Sequence, residues 1–116
     1  MATSSFTVPT GAVAQVSVID TTLRLSGMKS SYLLTPNVEG FGQMRTIPTW
    51  SFLVENPDGR RVLFDLGVPP NKESFSPAIQ KKLSASGWEV DSKKHVSELL
   101  TENGVDLTTI ESVIWR

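Results

Sequence analysis

Hydrophobic positions in this chain follow two rhythms, and each predicts a different kind of element. Over residues 13–25 they alternate, with Val16, Val18, Ile19, Leu23 and Leu25 set among polar neighbours. A period near two with β-branched side chains marks a strand. Asp20-Thr21-Thr22 interrupts the run and predicts a break or bulge inside it. Trp50-Ser51-Phe52-Leu53-Val54-Glu55 is a second strand pattern, and Arg61-Val62-Leu63-Phe64-Asp65 a third. Between these two lies Asn56-Pro57-Asp58-Gly59, where Pro presets φ and Gly accepts positive φ. This is the signature of a β-hairpin. Further on the rhythm changes. Ser76 followed by Pro77 reads as a helix cap and first helical position. Ile79 and Leu83 sit four apart, Lys81 and Lys82 would face solvent, and Gly87 supplies the stop. A second helix is predicted over residues 95–103, with Val96, Leu99 and Leu100 on one face and Gly104 as its stop. Leu107 and Ile110 add a half turn, and Ser112-Val113-Ile114-Trp115 begins a last strand.

The remaining stretches are irregular. Residues 1–14, rich in Ser and Thr at the start and holding Pro9, predict a flexible lead-in. Residues 26–48 carry Gly27, Pro36, Gly40, Gly42 and Pro48. A short strand is predicted at residues 31–34, and the rest is a long loop of the kind that often borders a functional site. The order is a strand, a hairpin, two helices and a strand, so the fold class is α/β with a mixed sheet. The helices form a crossover of the βαβ kind, and its final strand is expected inside the sheet with neighbours on both sides.

Composition changes this picture mainly by exclusion. At 116 residues there is room for one domain. A formal net charge of -1 with scattered Lys and Arg gives no electrostatic case for nucleic acid or an anionic membrane surface. No window approaches a membrane span, and the N-terminus lacks the basic and apolar regions of a secretory leader. With no cysteine, a disulfide scaffold, a thiolate zinc site and a cysteine nucleophile all fall away. The expected compartment is the cytosol.

Candidate chemistry is sparse. His95 is the one histidine and follows Lys93-Lys94 on the polar approach to a helix, where an exposed surface role is the better reading than a metal ligand. No calcium loop and no G-x-S-x-G elbow occurs. Gly40-Phe41-Gly42 has no third glycine at the spacing of a phosphate loop. Asp20 and Asp65 remain, both at predicted strand ends, where a carboxylate more often caps backbone N–H groups than moves protons. Asp65 has the more specific setting, since an apolar strand precedes it and Gly67 follows in a tight turn. Sites of α/β proteins gather at such strand ends.

With Phe64-Asp65-Leu66-Gly67 the chain resembles the first motif of the metallo-β-lactamase superfamily. Val18-Ile19-Asp20-Thr21-Thr22 and Pro48-Thr49-Trp50-Ser51-Phe52-Leu53-Val54 are similar to its fungal lactonase-like and lactamase-like members. The run from Ile110 to Trp115 is similar to the strand that precedes that family's H-x-H-x-D-H motif. The resemblance covers nearly everything from Gln15 onward. It implies that residues 15–116 are the N-terminal half of an αβ/βα sandwich. The family binds one or two zinc ions and directs a metal-bound hydroxide at a lactam, lactone, ester or thioester. It also implies a role for Asp65, with Gly67, in orienting the metal-bearing loop without touching the metal.

The zinc-binding motif itself does not occur in the sequence. The expectation is a truncated hydrolase with no catalytic residue, no metal ligand and no cofactor of its own. A small-molecule substrate is expected only for a longer form. An uncovered sheet face and an open strand edge would favour self-association. The competing expectation is a small non-catalytic binding module that uses that face.

Overall fold

In the computed structural model, which describes residues 5–115, the alternating runs become strands of one mixed sheet. β1 spans Gln15–Ser26, β2 Ile47–Glu55, β3 Arg61–Phe64, β4 Glu89–Asp91 and β5 Ile110–Ile114. Two helices, α1 at Pro77–Ser86 and α2 at Val96–Glu102, lie between β3 and β5. The strand order is β4-β1-β2-β3-β5, antiparallel throughout except for the parallel pair β3 and β5. Residues 5–14 carry no strand or helix, and residues 1–4 of the expected flexible lead-in lie outside the described residues. The described residues form a single sheet with two helices, and a second sheet of a sandwich is not among them.

Local chemistry accounts for most of these elements. The predicted hairpin is β2 and β3, closed by Gly59 N–H to the Asn56 carbonyl and Asn56 N–H to the Arg60 carbonyl, both 3.0 Å. The Asn56 side chain also accepts from Arg60 N–H at 2.8 Å, which locks the turn. In β1 the predicted interruption is a register shift between Asp20 and Arg24, with Thr22 at φ 64. Asp20 Oδ1 accepts from Thr22 N–H at 2.9 Å, so the short side chain holds the left-handed residue in place. α1 starts as predicted, with Pro77 at its first position and Ser76 Oγ accepting from Ile79 N–H at 3.4 Å. It ends on Gly87 at φ 74. Glu98 accepts from His95 N–H at 2.7 Å and closes the first turn of α2.

Three expectations need correction. Residues 31–34 do not form a strand, because Ser30–Tyr32 winds into a single 3-10 turn held by Leu33 N–H to the Ser30 carbonyl at 3.0 Å. Glu89–Asp91 has no strand pattern of its own and was not expected to pair, yet as β4 it lies against β1 along Arg24–Asp91, Leu25–Val90 and Ser26–Glu89. Among the described residues β5 is not inside the sheet: it pairs with β3 and forms an edge, where the crossover delivers it.

The pleat sorts the side chains onto two faces. On one face Leu53 and Leu63 are buried with Val96 and Leu100 of α2, and Ile19, Val105 and Ile110 pack against them. Burying each such side chain contributes roughly 1.5–3 kcal/mol. The opposite face carries two cross-strand rows. Val16, Val54, Val62 and Ser112 form one, and Val18, Phe52, Phe64 and Ile114 the other. The rings of Phe52 and Phe64 meet edge to face at 6.3 Å. Val18 is 63% exposed and Ile114 52%, so among the described residues no layer covers these rows.

Candidate functional site

Parallel strands β3 and β5 end side by side, and the Asp65-Leu66-Gly67 turn begins there. Asp65 N–H donates to the Ile114 carbonyl at 2.9 Å, which continues the ladder by one bond and ties the turn to β5. Asp65 then takes a left-handed conformation, φ 63, that ordinary side chains adopt at a cost of about 1–2 kcal/mol. Asn and Asp tolerate that region best among non-glycine residues. Gly67 is left-handed too, φ 66. A Cβ there would stand 2.9 Å from Thr21 Cβ and 3.4 Å from Val96 Cγ2, so the turn is clamped between β1 and the start of α2.

Thr21 is fixed in turn. It is buried, and its hydroxyl lies 2.6 Å from Thr49 Oγ1 and 3.1 Å from the Thr49 carbonyl. Ser51 is buried on the same covered face, opposite Ile19, and its hydroxyl has no partner. Thr22 Oγ1 accepts from Lys93 N–H at 3.0 Å and Lys94 N–H at 3.1 Å. The bulge of β1 thereby seats the segment leading into α2. The bulge, the Gly67 turn and the head of α2 thus form one interlocked unit.

An open cleft of about 330 Å³ lies beside this unit, lined by Leu66, Gly67, Phe75, His95, Val96 and Trp115 among others. Its walls are mainly apolar. His95 is exposed, as its polar flank predicts, but it borders this cleft rather than an unrelated surface. Trp115 follows β5 directly and lines the cleft as well. Neither was legible as a site residue. They reach the cleft through the crossover topology, and no local motif marks them.

The other candidates lie elsewhere or serve structure. Asp20 is bound by Arg24 through two hydrogen bonds of 2.7 and 2.9 Å. Those bonds, with Thr22 N–H next, hold its carboxyl down to about 2. It is thus committed to the bulge and is not a free acid or base. The loop over residues 26–48 is pinned by the Lys29–Gln43 bridge, and its Tyr32 meets the Trp88 ring at 4.7 Å near α1 and β4. It does not line the cleft at Gly67.

A zinc centre of the kind the resemblance implies does not fit the residues present. The chain has one histidine and no cysteine, and among the described residues no three His, Asp or Glu side chains gather where a metal could sit. No described helix is long and apolar enough to cross a membrane.

Comparison with known proteins adds a relationship. Over 109 residues the chain is 28% identical to a γ-lactamase, FDB1, of Fusarium pseudograminearum. The chain is distantly homologous to a fungal lactamase-like hydrolase. The match takes in 90% of this chain and 26% of that protein. A second match, 29% identical over 111 residues, is to the cytochrome P450 monooxygenase mpaDE of Penicillium roqueforti, covering 92% of this chain and 13% of that protein. The chain thus spans about a quarter or less of these relatives. No family model and no solved structure matches it.

Proposed function

We propose that these residues form the first sheet of a hydrolase of the metallo-β-lactamase type, and that they have no catalytic activity alone. The parent activity would be zinc-dependent opening of a lactam or lactone, or cleavage of an ester or thioester. The observation that carries this reading is the Asp65-Leu66-Gly67 turn. It sits at the carboxyl ends of the parallel strands, bonded to β5 and clamped against Thr21 and Val96. Asp65 and Gly67 would shape the floor on which a metal-bearing loop rests. Because the described residues hold no ligand set, no catalytic step is assigned to them.

The monooxygenase name of the second relative does not transfer. The haem of a P450 is held by a cysteine thiolate, and this chain has no cysteine. The segment matched is only 13% of that protein, which leaves ample room for the oxygenase elsewhere in it.

The test is a graft. The aligned residues of the Fusarium γ-lactamase are replaced by this chain, and zinc content and lactam hydrolysis are measured. Retained hydrolysis that falls at least tenfold on Asp65→Ala supports the reading. A folded, zinc-loaded graft with no turnover, or one indifferent to Asp65→Ala, counts against it. The 116-residue chain with added zinc should show no lactam hydrolysis.

The second reading, a non-catalytic binding module, is favoured by the uncovered sheet face.

A further inference from the structure

Residues 92–95 carry no strand or helix, and they end on His95, which with Val96 and Ser97 lines one side of the Gly67 cleft. The other side is the turn itself, with Leu66, Gly67 and Pro69. A backbone stretch without a ladder needs acceptors from elsewhere for its N–H groups. Two side chains supply them. Thr22 Oγ1 accepts from Lys93 N–H at 3.0 Å and from Lys94 N–H at 3.1 Å, and Glu98 accepts from His95 N–H at 2.7 Å. Glu98 belongs to α2 and goes wherever that helix goes. Thr22 belongs to β1, 71 and 72 residues away in sequence, and ties the stretch to the sheet. Ser92 adds a tie to the turn, its hydroxyl donating to the Val68 carbonyl at 2.7 Å just beyond Gly67.

Thr22 makes its two bonds from an unusual backbone. Its φ is 64, and a β-branched residue in that region is a steric outlier. Such strain persists only where the surroundings over-determine it, and it gathers at functional sites. Here the surroundings are Asp20 Oδ1, which accepts from Thr22 N–H at 2.9 Å, and the register shift between β1 and β2. Glycine would take the same φ without strain, but it has no hydroxyl. A bulge that only had to turn the strand would be served by glycine. What threonine adds is an acceptor shared by two successive N–H groups beside the cleft wall.

We propose that Thr22 is a positioning residue for substrate, which sets His95 and Val96 against the Gly67 turn so that the cleft admits its ligand. The inference rests on the hydrolase reading, in which the cleft beside the turn receives part of the substrate. Thr22 does not itself line the cleft, so it acts through the backbone of Lys93 and Lys94. Walls that hold ground state and transition state alike affect KM more than kcat when displaced.

Two measurements test this. In the 116-residue chain, hydrogen exchange follows the Lys93 and Lys94 amides. Thr22→Val keeps the branched shape and removes the acceptor, so both amides should exchange at least about tenfold faster, a larger gain than Leu53 and Leu63 show in the sheet. Thr22→Ser keeps the hydroxyl and should hold both within about threefold of wild type. In the zinc-loaded γ-lactamase graft, Thr22→Val should raise KM for the lactam at least about fivefold with kcat within about threefold, and Thr22→Ser should restore KM. Thr22→Gly, free of backbone strain, serves if the valine variant misfolds, and should raise KM as well. A role in stability alone would lower the folded fraction, and so kcat, without moving KM. Asn56→Ala, which loses the bond to Arg60 N–H in the distant hairpin turn, should therefore leave KM unchanged. Amides indifferent to Thr22→Val overturn the proposal. So does an active graft whose KM ignores both the valine and glycine variants, or rises as much with Asn56→Ala. A folded, zinc-loaded wild-type graft with no turnover strikes the hydrolase reading instead, and the substrate role of Thr22 with it.

Discussion

On one face of the sheet Leu53 and Leu63 are buried under α2. On the other, Phe52 and Phe64, one step along the same strands, have no layer above them among the described residues. Both faces are apolar. Strands written this way are suited to cover on both sides, unlike the polar-out strands of a sheet that faces water. The helices of this stretch supply cover for one side only. The covered face gains its stability from α2, whereas the open face has no such layer among the described residues.

Truncating neighbouring residues on opposite faces should expose this difference. Leu63→Ala removes a side chain that is 3% exposed and should cost about 3 kcal/mol, enough to unfold a marginal domain. Phe64→Ala should cost less per unit of side-chain area than Leu63→Ala, because Phe64 keeps part of its ring in water whereas Leu63 is 3% exposed. Urea midpoints at fixed m-value decide the matter. Equal losses per unit area would mean that the second face is packed as well.

Gly67→Ala comes next. It combines a left-handed backbone with a Cβ 2.9 Å from Thr21, and about 2 kcal/mol of destabilisation is expected. A loss no larger than for alanine at exposed Gly59, where no atom lies within 4 Å, would show that the clamp on Thr21 is loose.

Ser51→Ala should be neutral or stabilising by up to about 1 kcal/mol, since it removes a buried hydroxyl with no partner. A clear loss would reveal a bridging water beneath α2.

The smallest effect belongs to Asp20, at the rim of the open face. Its carboxyl is lowered from 3.8 to about 2, chiefly by the Arg24 hydrogen bonds and then by Thr22 N–H. A depressed folded value means the contribution is complete above pH 4 and is lost as pH falls through about 2. The pair is solvent-exposed, so the change will be slight and screened by salt. Asp20→Asn should flatten that acid limb of the urea midpoint against pH. An unchanged limb would assign it to other carboxylates.

What could be read in advance follows from the range of the forces. The hairpin needs only Asn56, Pro57 and Gly59 near one another, and α1 needs only Ser76, Pro77 and Gly87. Such signals are local and survived intact. β4 has one apolar residue, Val90, between two acids, and becomes a strand only because the edge of β1 offers it backbone partners. Residues 31–34 are the opposite case: Tyr32-Leu33-Leu34 carries a strand pattern, but Ser30 is buried and its hydroxyl donates to the Phe41 carbonyl, which favours a turn. At the candidate site the Asp65-Leu66-Gly67 turn was visible as a motif. Its fit against Thr21, and the approach of His95 and Trp115 to the cleft, depend on contacts distant in sequence that no local pattern encodes.

The route from β3 to β5 has a consequence for how the chain assembles. After Phe64 the backbone crosses to the far edge of the sheet, pairs with β1 as β4, and returns through α2 to lie beside β3. One continuous stretch therefore writes both edges. Each closure it makes is entropically milder than a single loop joining β3 directly to β5, because β4 divides the span. Pairing at one margin thus prepares pairing at the other. Amide protons of Val90 and Val113, at opposite edges of the sheet, belong on this account to one cooperative opening rather than to two independently fraying ends.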